Sequence, residues 1–471
     1  AAAAVALAAL GPAAPPATAA PARQATPIPP LACTWDKLPV SATQGVYFMA
    51  TAYDTLHHKL YAYGGVDQSG DLVNIVGALD VSDADPAKAA FQPVVPSGSR
   101  VERYGTAGAF RPKGDDSAVY WIGGADDSGG ATTEVQIFNI KANTWRKVTP
   151  AGSQKRAFHA AAYDPVHDVV VVHGGTKQCK VVDVQPTDDC EGDNLRTQFL
   201  AIDANGDVSW VNGPQGGPSQ ILGLTMVYDS VRKRMIAYAG TSDGSLATDR
   251  VWVLRLHDAD LANATWSNLN VTGTAPQGRF FHSAAYHADR DMMVLYGGVT
   301  QMPFSNRENA LDDTWALRFT GATTAVWEKI DASILDRVGA SMEYSPKHKV
   351  PIIFGGRGQH RTGTQAVNRD YFALPCGVAP TPTATPRPAT PPPPGGTSPK
   401  VCTLIRNRVP AAVINAAVAN PNGVRGFGEP CNQSLPPDPF SNPPKRYLSL
   451  QNIGIPWDTL GNPLIYKCGC P

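Results

Sequence analysis

The sequence predicts an all-β repeat protein, a propeller or a solenoid, on three observations. Its 44 glycines and 42 prolines in 471 residues, with Val, Thr, Tyr and Trp spread throughout, favour many short strands over long helices. A strand running into glycine recurs six times, as KLYAYGG (59–65), SAVYWIGG (117–124), DVVVVHGG (168–175), KRMIAYAG (233–240), DMMVLYGG (291–298) and KVPIIFGG (349–356). The final glycines lie 59, 51, 65, 58 and 58 residues apart, the self-similarity of stacked supersecondary units.

Each unit adds three pieces in fixed order. Before the glycines a strand ends at an Asp-containing turn, as in FHAAAYDPVHD (158–168) and FHSAAYHADRD (281–291), so the two strands form a tight hairpin. After a longer loop comes an aromatic strand: VQIFNI, TQFLAI, RVWVLRL, DTWALRF and RDYFALP. A fourth strand then carries Trp145, Trp210, Trp266 or Trp327, with Phe91 in the first unit. His173 falls where the other units have Tyr63, Ile122, Tyr238, Tyr296 and Phe354, which marks a packing position.

Gly64-Gly65, Gly123-Gly124, Gly174-Gly175, Gly297-Gly298 and Gly355-Gly356, with Gly240 alone after Ala239, keep this order with the later aromatic and tryptophan. Over residues 33–377 the pattern closely resembles kelch repeats, as in the central domain of galactose oxidase. The sixth unit stops at RDYFALPC (369–376), and its missing strand reappears as Cys33-Thr-Trp35-Asp-Lys-Leu. The resemblance implies a closed six-bladed propeller with four-stranded blades, the N-terminal strand completing the last blade and closure protecting the blade edges. It also implies a Cys33–Cys376 disulfide locking the ring.

Four segments follow: a signal-like leader and Pro-rich spacer (1–30), the propeller (31–378), a Pro/Thr-rich linker (379–400) and a small Cys-rich module (401–471). The leader's apolar and small residues, with Ala17-Thr18-Ala19 as a cleavage site, suit export. Eight cysteines after such a leader suit disulfides. Cys179 and Cys190 share one loop and would staple it. Cys402, Cys431, Cys468 and Cys470 would make two bonds, of three possible pairings, in a module too small for a large core. That module carries no family resemblance of its own; within it 410–419 reads as a helix and 446–453 as a strand.

With 40 basic and 40 acidic residues the net charge is zero, which argues against a general nucleic-acid or anionic-membrane binder. No run approaches the roughly 18 apolar residues of a transmembrane helix. A charged partner must therefore be read by a local patch.

Arg156, Arg279 and Arg337 stand 19 residues before the last glycine of their units, and Arg103 stands 21 before. Similar arginines in kelch propellers approach the mouth of the central channel. Four converging guanidiniums would hold a carboxylate, sulfate or phosphate, with His159 and His282 adding donors or acid/base groups. The competing reading has each Arg tying its blade to backbone carbonyls, as residues locked into a repeat usually do.

No segment shows EF-hand spacing, a Gly-x-Ser-x-Gly elbow, His-Glu-x-x-His or the sialidase Asp turn, so no metal, cofactor or catalytic residue is expected. The copper site of galactose-oxidase relatives bonds a Tyr to a Cys, and here every propeller Cys has a disulfide partner to hand. The favoured function is a secreted or cell-surface binding protein whose loops on one propeller face recognise a protein or polysaccharide, an anionic one at the arginines. The tail module would serve attachment or assembly. A carbohydrate-active enzyme or oxidase at the channel mouth, and a structural subunit of an extracellular polymer, are the alternatives.

Overall fold

The computed structural model describes residues 30–179, 196–219, 222–242, 247–257, 261–301, 310–359 and 365–378. It also gives the backbone of 181–182 and 185–186 and of three tail strands. The leader, the linker, the 410–419 helix and Cys190, Cys402, Cys431 and Cys470 lie outside the described residues. The chain divides into two units, 1–381 and 382–471. In the second, Thr403–Ile405 and Tyr447–Ser449 flank Ile465–Gly469 in an antiparallel sheet, the middle strand of the chain lying inside the predicted 446–453.

The first unit is a six-bladed propeller. Each blade is an antiparallel sheet whose innermost strand lines the axis: Ala50–Asp54, Ala107–Arg111, Ala160–Asp164, Thr225–Asp229, Ser283–His287 and Ser341–Ser345. The strand before the glycines is second and the aromatic strand third; the fourth carries the tryptophan in blades two to five, carries Phe91 in the first and follows Trp35 in the sixth. In the third blade the innermost hairpin turns on Asp164, whose carboxylate accepts from the backbone N–H groups of Val166 and His167, a side-chain mimic of a backbone turn. Asp54 does the same in the first blade for Leu56 and His57.

The uninterrupted valines of Val169–His173 follow from burial on both faces. Val169 and Val171 pack with Leu224, Met226 and Ala237 of the fourth blade, while Val170 and Val172 pack with Tyr120, Ile122 and Val135 of the second. The glycine pair that follows needs left-handed backbone: Gly64 has φ +68°, and a Cβ there would stand 2.3 Å from the Arg103 carbonyl oxygen. Ala239, in the pair that lacks its first glycine, still adopts φ +58°.

In four blades the aromatic before the glycines packs on the tryptophan of the next blade. Ring centroids are 5.0 Å apart for Tyr63 and Trp145, 5.0 Å for His173 and Trp266, 5.0 Å for Tyr238 and Trp327, and 5.4 Å for Tyr296 and Trp35. Trp210 joins the same interface as Ile122. His173 is therefore a packing residue, held by Thr197 Oγ1 on Nδ1 and the Pro218 carbonyl on Nε2, and burial pulls its pKa down to about 4.

Closure uses both chain ends. Asp36–Ser41 pairs antiparallel with Asp370–Ala373 to complete the sixth blade, and Leu31–Cys33 pairs with Cys376–Val378 beside it. The closing strand thus begins one residue after Trp35, whose ring reaches back to the fifth blade. The Cys33–Cys376 disulfide spans the clasp. Cys179 is also disulfide-bonded, in a loop whose predicted partner Cys190 lies outside the described residues. Asn270–Thr272 was not anticipated: it adds in parallel to the edge of the fifth blade, making that sheet five-stranded.

Candidate functional site

The axis is sealed at one end and open at the other. At the sealed end each blade contributes one residue with left-handed backbone, alternating phenylalanine and glycine: Phe48, Gly105, Phe158, Gly223, Phe281 and Gly339, with φ between +54° and +66°. Their backbones form a closed cycle, each N–H donating to the neighbouring blade's carbonyl at 2.7–3.1 Å. Phe48, Phe158 and Phe281 meet on the axis with centroids 4.8–5.1 Å apart. Each ring covers a glycine of the blade before it, where a Cβ would come within 2.9 Å or less. Buried Tyr47, Tyr104, Phe280 and Val338 pack around this plug.

The arginines stand two residues before the plug positions, Arg103 included. Arg156, Arg279 and Arg337 are buried, and Nη1 of each donates to the carbonyl of the first glycine in its own blade: Gly174, Gly297 and Gly355. Arg279 adds a two-pronged ion pair with Asp313, and Arg156 also donates to the Arg196 carbonyl, Gln154 and Gln198. Arg103 pairs with Glu134 and donates to the Glu102 carbonyl. Their backbone carbonyls meanwhile accept from the second glycine of the preceding blade, as Gly124 to Arg156 and Gly298 to Arg337. The guanidiniums predicted to converge on a ligand are thus engaged within their own blades, while the backbone carbonyls of the same residues stitch one blade to the next.

His159 and His282 lie one residue beyond the plug and are buried. Burial, with Arg156 beside it, pulls His159 down to about 3; burial and Arg279 lower His282 in the same direction. Both imidazoles are therefore neutral near pH 7.

Beyond this layer the channel widens into a cavity of about 410 Å³, blind at the plug and open on the face that carries the hairpin turns. Small residues line its walls, and Tyr53, Tyr163, Tyr228, Tyr286 and Tyr344 ring its mouth, with Phe110 at the sixth position. Most tyrosine hydroxyls are spent on the rim: Tyr53 with Ser345, Tyr163 on Asp168, Tyr286 on Asp291 and Tyr344 on Asp289. Asp168 and Asp291 are in turn clasped by Arg111 and Arg232 of the preceding blades, each through two hydrogen bonds of 2.5–2.6 Å. Arg111 holds the Asp168 carboxyl below the usual carboxylate range. Exposed Leu56, Val166 and Val231 sit on the turns of the same face.

One side chain in the cavity departs from the repeat. The wall position four residues past the plug is Ala52, Ala109, Ala162, Val227 and Ala285 in five blades, and Glu343 in the sixth. Thr51 Oγ1 donates to Glu343 Oε1 at 3.1 Å, and burial pushes the carboxyl up to about 8. In the unfolded chain a Glu titrates near ~4.3, so both states are protonated below that pH and the group is neutral in its effect. As pH rises from there towards 8, the unfolded chain releases a proton that the fold retains, and stability falls. Glu343→Gln is expected to match the wild type near pH 4 and to exceed it by roughly 1 kcal/mol per pH unit up to about pH 8. Urea denaturation at four pH values measures this; parallel curves for the two proteins would contradict it.

Residues 198–367 match the sequence model of the KLHDC2/KLHL20/DRC7 Kelch-repeats domain. That match and the six blades agree: the chain is a six-bladed β-propeller whose residues 198–367 carry a kelch-repeat domain. Among solved structures, one described as "Structure of YjhT" is 18% identical with a TM-score of 0.51, covering 72% of this chain and 99% of that one. Another, described as a novel fungal alcohol oxidase with catalytic diversity among the AA5 family, in complex with copper, is 10% identical with a TM-score of 0.45, covering 72% and 75%. No curated protein matches the chain. Among the described residues no cluster of three or more metal-ligating side chains occurs, and no helix is long and apolar enough to cross a membrane.

The plug, the tyrosine ring and Glu343 were missed from the sequence. The plug signal was available as Phe and Gly alternating at one position of successive units, and Glu343 as the one acidic residue in a column of alanines and valine.

Proposed function

We propose that this chain is an exported interaction protein that receives a projecting side chain of a partner protein in the blind cavity of its turn face. A kelch propeller suggests a protein-interaction role, and the observation that carries the finer reading is the cavity itself. Six innermost strands converge on a space large enough for one side chain, the plug stops it from being a pore, and exposed apolar residues stand on the turns of the same face. Rigid tyrosines supply contact area at low entropic cost, as they do in interface hot spots. The Cys33–Cys376 disulfide supports an oxidising compartment. The tail module would then orient or attach the protein.

The test uses the full chain against a displayed peptide library and, in parallel, a glycan array. Peptides selected by the wild type are expected to lose binding to Ala162→Trp, which fills the cavity, and to Tyr228→Ser, which opens its rim, both checked for native unfolding. They should retain binding to Asp127→Arg on the opposite, loop-bearing face. Peptides indifferent to both mouth substitutions, or selection of glycans alone, would overturn the proposal.

A further inference from the structure

Resting on that reading of the mouth, we propose that the cavity takes a cation, the ammonium or guanidinium of a partner's lysine or arginine side chain, with Glu343 as its counter-ion. Five blades show what the scaffold requires at this wall position, and it is a small apolar residue. A carboxyl group there adds a single interblade hydrogen bond, from Thr51, and carries a desolvation cost. Residues that break a local rule mark functional or strained sites.

The surroundings select for positive charge. Thr51 reaches Glu343 from the first blade, Tyr53, Tyr286 and Tyr344 line the same cavity, and among the described residues no other charged side chain lines it. One hydroxyl donor leaves most of the carboxyl's acceptor sites open, and among the described residues no basic side chain pairs with it. Because most tyrosine hydroxyls are already bonded at the rim, the lining tyrosines offer a ligand chiefly ring carbon. Aromatic walls around a carboxylate favour an alkyl chain that ends in a cation over a neutral or anionic group.

The exchange balances in charge. The empty cavity holds Glu343 with its proton, in line with the upward displacement that burial produces. An arriving ammonium or guanidinium replaces that proton, which leaves to solvent, so the carboxylate and the cation enter the low-dielectric cavity as a pair.

Titration calorimetry of the full chain with Nα-acetyl-lysine methylamide, Nα-acetyl-arginine methylamide and the neutral norleucine isostere tests this. The cationic probes are expected to bind, the isostere to bind at least about tenfold more weakly, and Glu343→Gln to lose that discrimination. Glu343→Ala, which restores the residue type of the other blades, should fold normally and also lose it. At pH 7, buffers of different ionisation enthalpy should report release of close to one proton per cation bound. Equal binding of all three probes, undiminished binding to Glu343→Gln, no proton release, or no binding at millimolar probe would each overturn the inference. If peptides still depend on an unfilled cavity while Glu343→Gln leaves them unaffected, the recognition site stands and only its charge preference fails.

Discussion

Phe281→Ala is expected to destabilise the propeller by about 3–5 kcal/mol, the cost of a large aromatic removed from a buried site. The ring touches Phe48 and Phe158 on the axis and covers Gly223, so its loss leaves a void bounded by three blades rather than one. Relaxation cannot easily fill that void, because the backbone around it is fixed by the closed cycle of hydrogen bonds. Gly339→Ala approaches the same site from the other side. A Cβ there would lie 2.4 Å from a Phe48 ring atom, at φ +63°, so strain and overlap add. Val166→Ala, on an exposed turn, serves as the control and should change stability by less than about 0.5 kcal/mol. Denaturant midpoints for the three variants decide the matter; a Phe281→Ala protein within error of the control would mean that the plug fills space without holding the ring together.

Loss of the Cys33–Cys376 bond should rank beside it. The disulfide links residues 343 positions apart, and for so long a loop the chain-entropy estimate is of the order of 4 kcal/mol or more. The double variant Cys33→Ser/Cys376→Ser avoids exposing a free thiol. Native circular dichroism should survive in it, because Asp36–Ser41 still pairs with Asp370–Ala373 and Asp370 still accepts from Ser41 and pairs with Lys37. The denaturant midpoint should nevertheless fall, and adding reductant to the wild type should lower it further, since Cys179 is also oxidised. A midpoint unaffected by the double substitution would place the closing energy in the strand pairing alone.

The blades were legible because their signals are local and repeat with the unit. A strand buried on both faces reads as Val-Val-Val-Val, a left-handed exit reads as glycine, and the interblade contact reads as an aromatic followed later by a tryptophan. His173 could be assigned to packing before its contacts with Trp266 and Thr197 were known, because five other units showed what its position holds. The direction of a side chain is a different matter. Spacing placed Arg156, Arg279 and Arg337 near the axis, yet it carried no information on whether a guanidinium points into the channel or back to a glycine carbonyl. Glu343 was hidden for the converse reason. In Ser341-Met-Glu-Tyr-Ser345 it reads as an ordinary polar residue in a half-buried strand, and only comparison with Ala52 and its counterparts around the axis makes it exceptional. Asn270–Thr272 pairs in parallel with a strand more than fifty residues away, which no short-range pattern records.

Because each phenylalanine on the axis needs a glycine beneath it in the neighbouring blade, this propeller counts in pairs. An odd number of blades cannot alternate around a circle without placing two rings or two gaps side by side. The clasps of Arg111 on Asp168 and Arg232 on Asp291 keep the same two-blade rhythm on the opposite face. The heritable module of this architecture is accordingly a doublet of about 115 residues, and a derivative that gains or loses one blade must rebuild its axis before it can close.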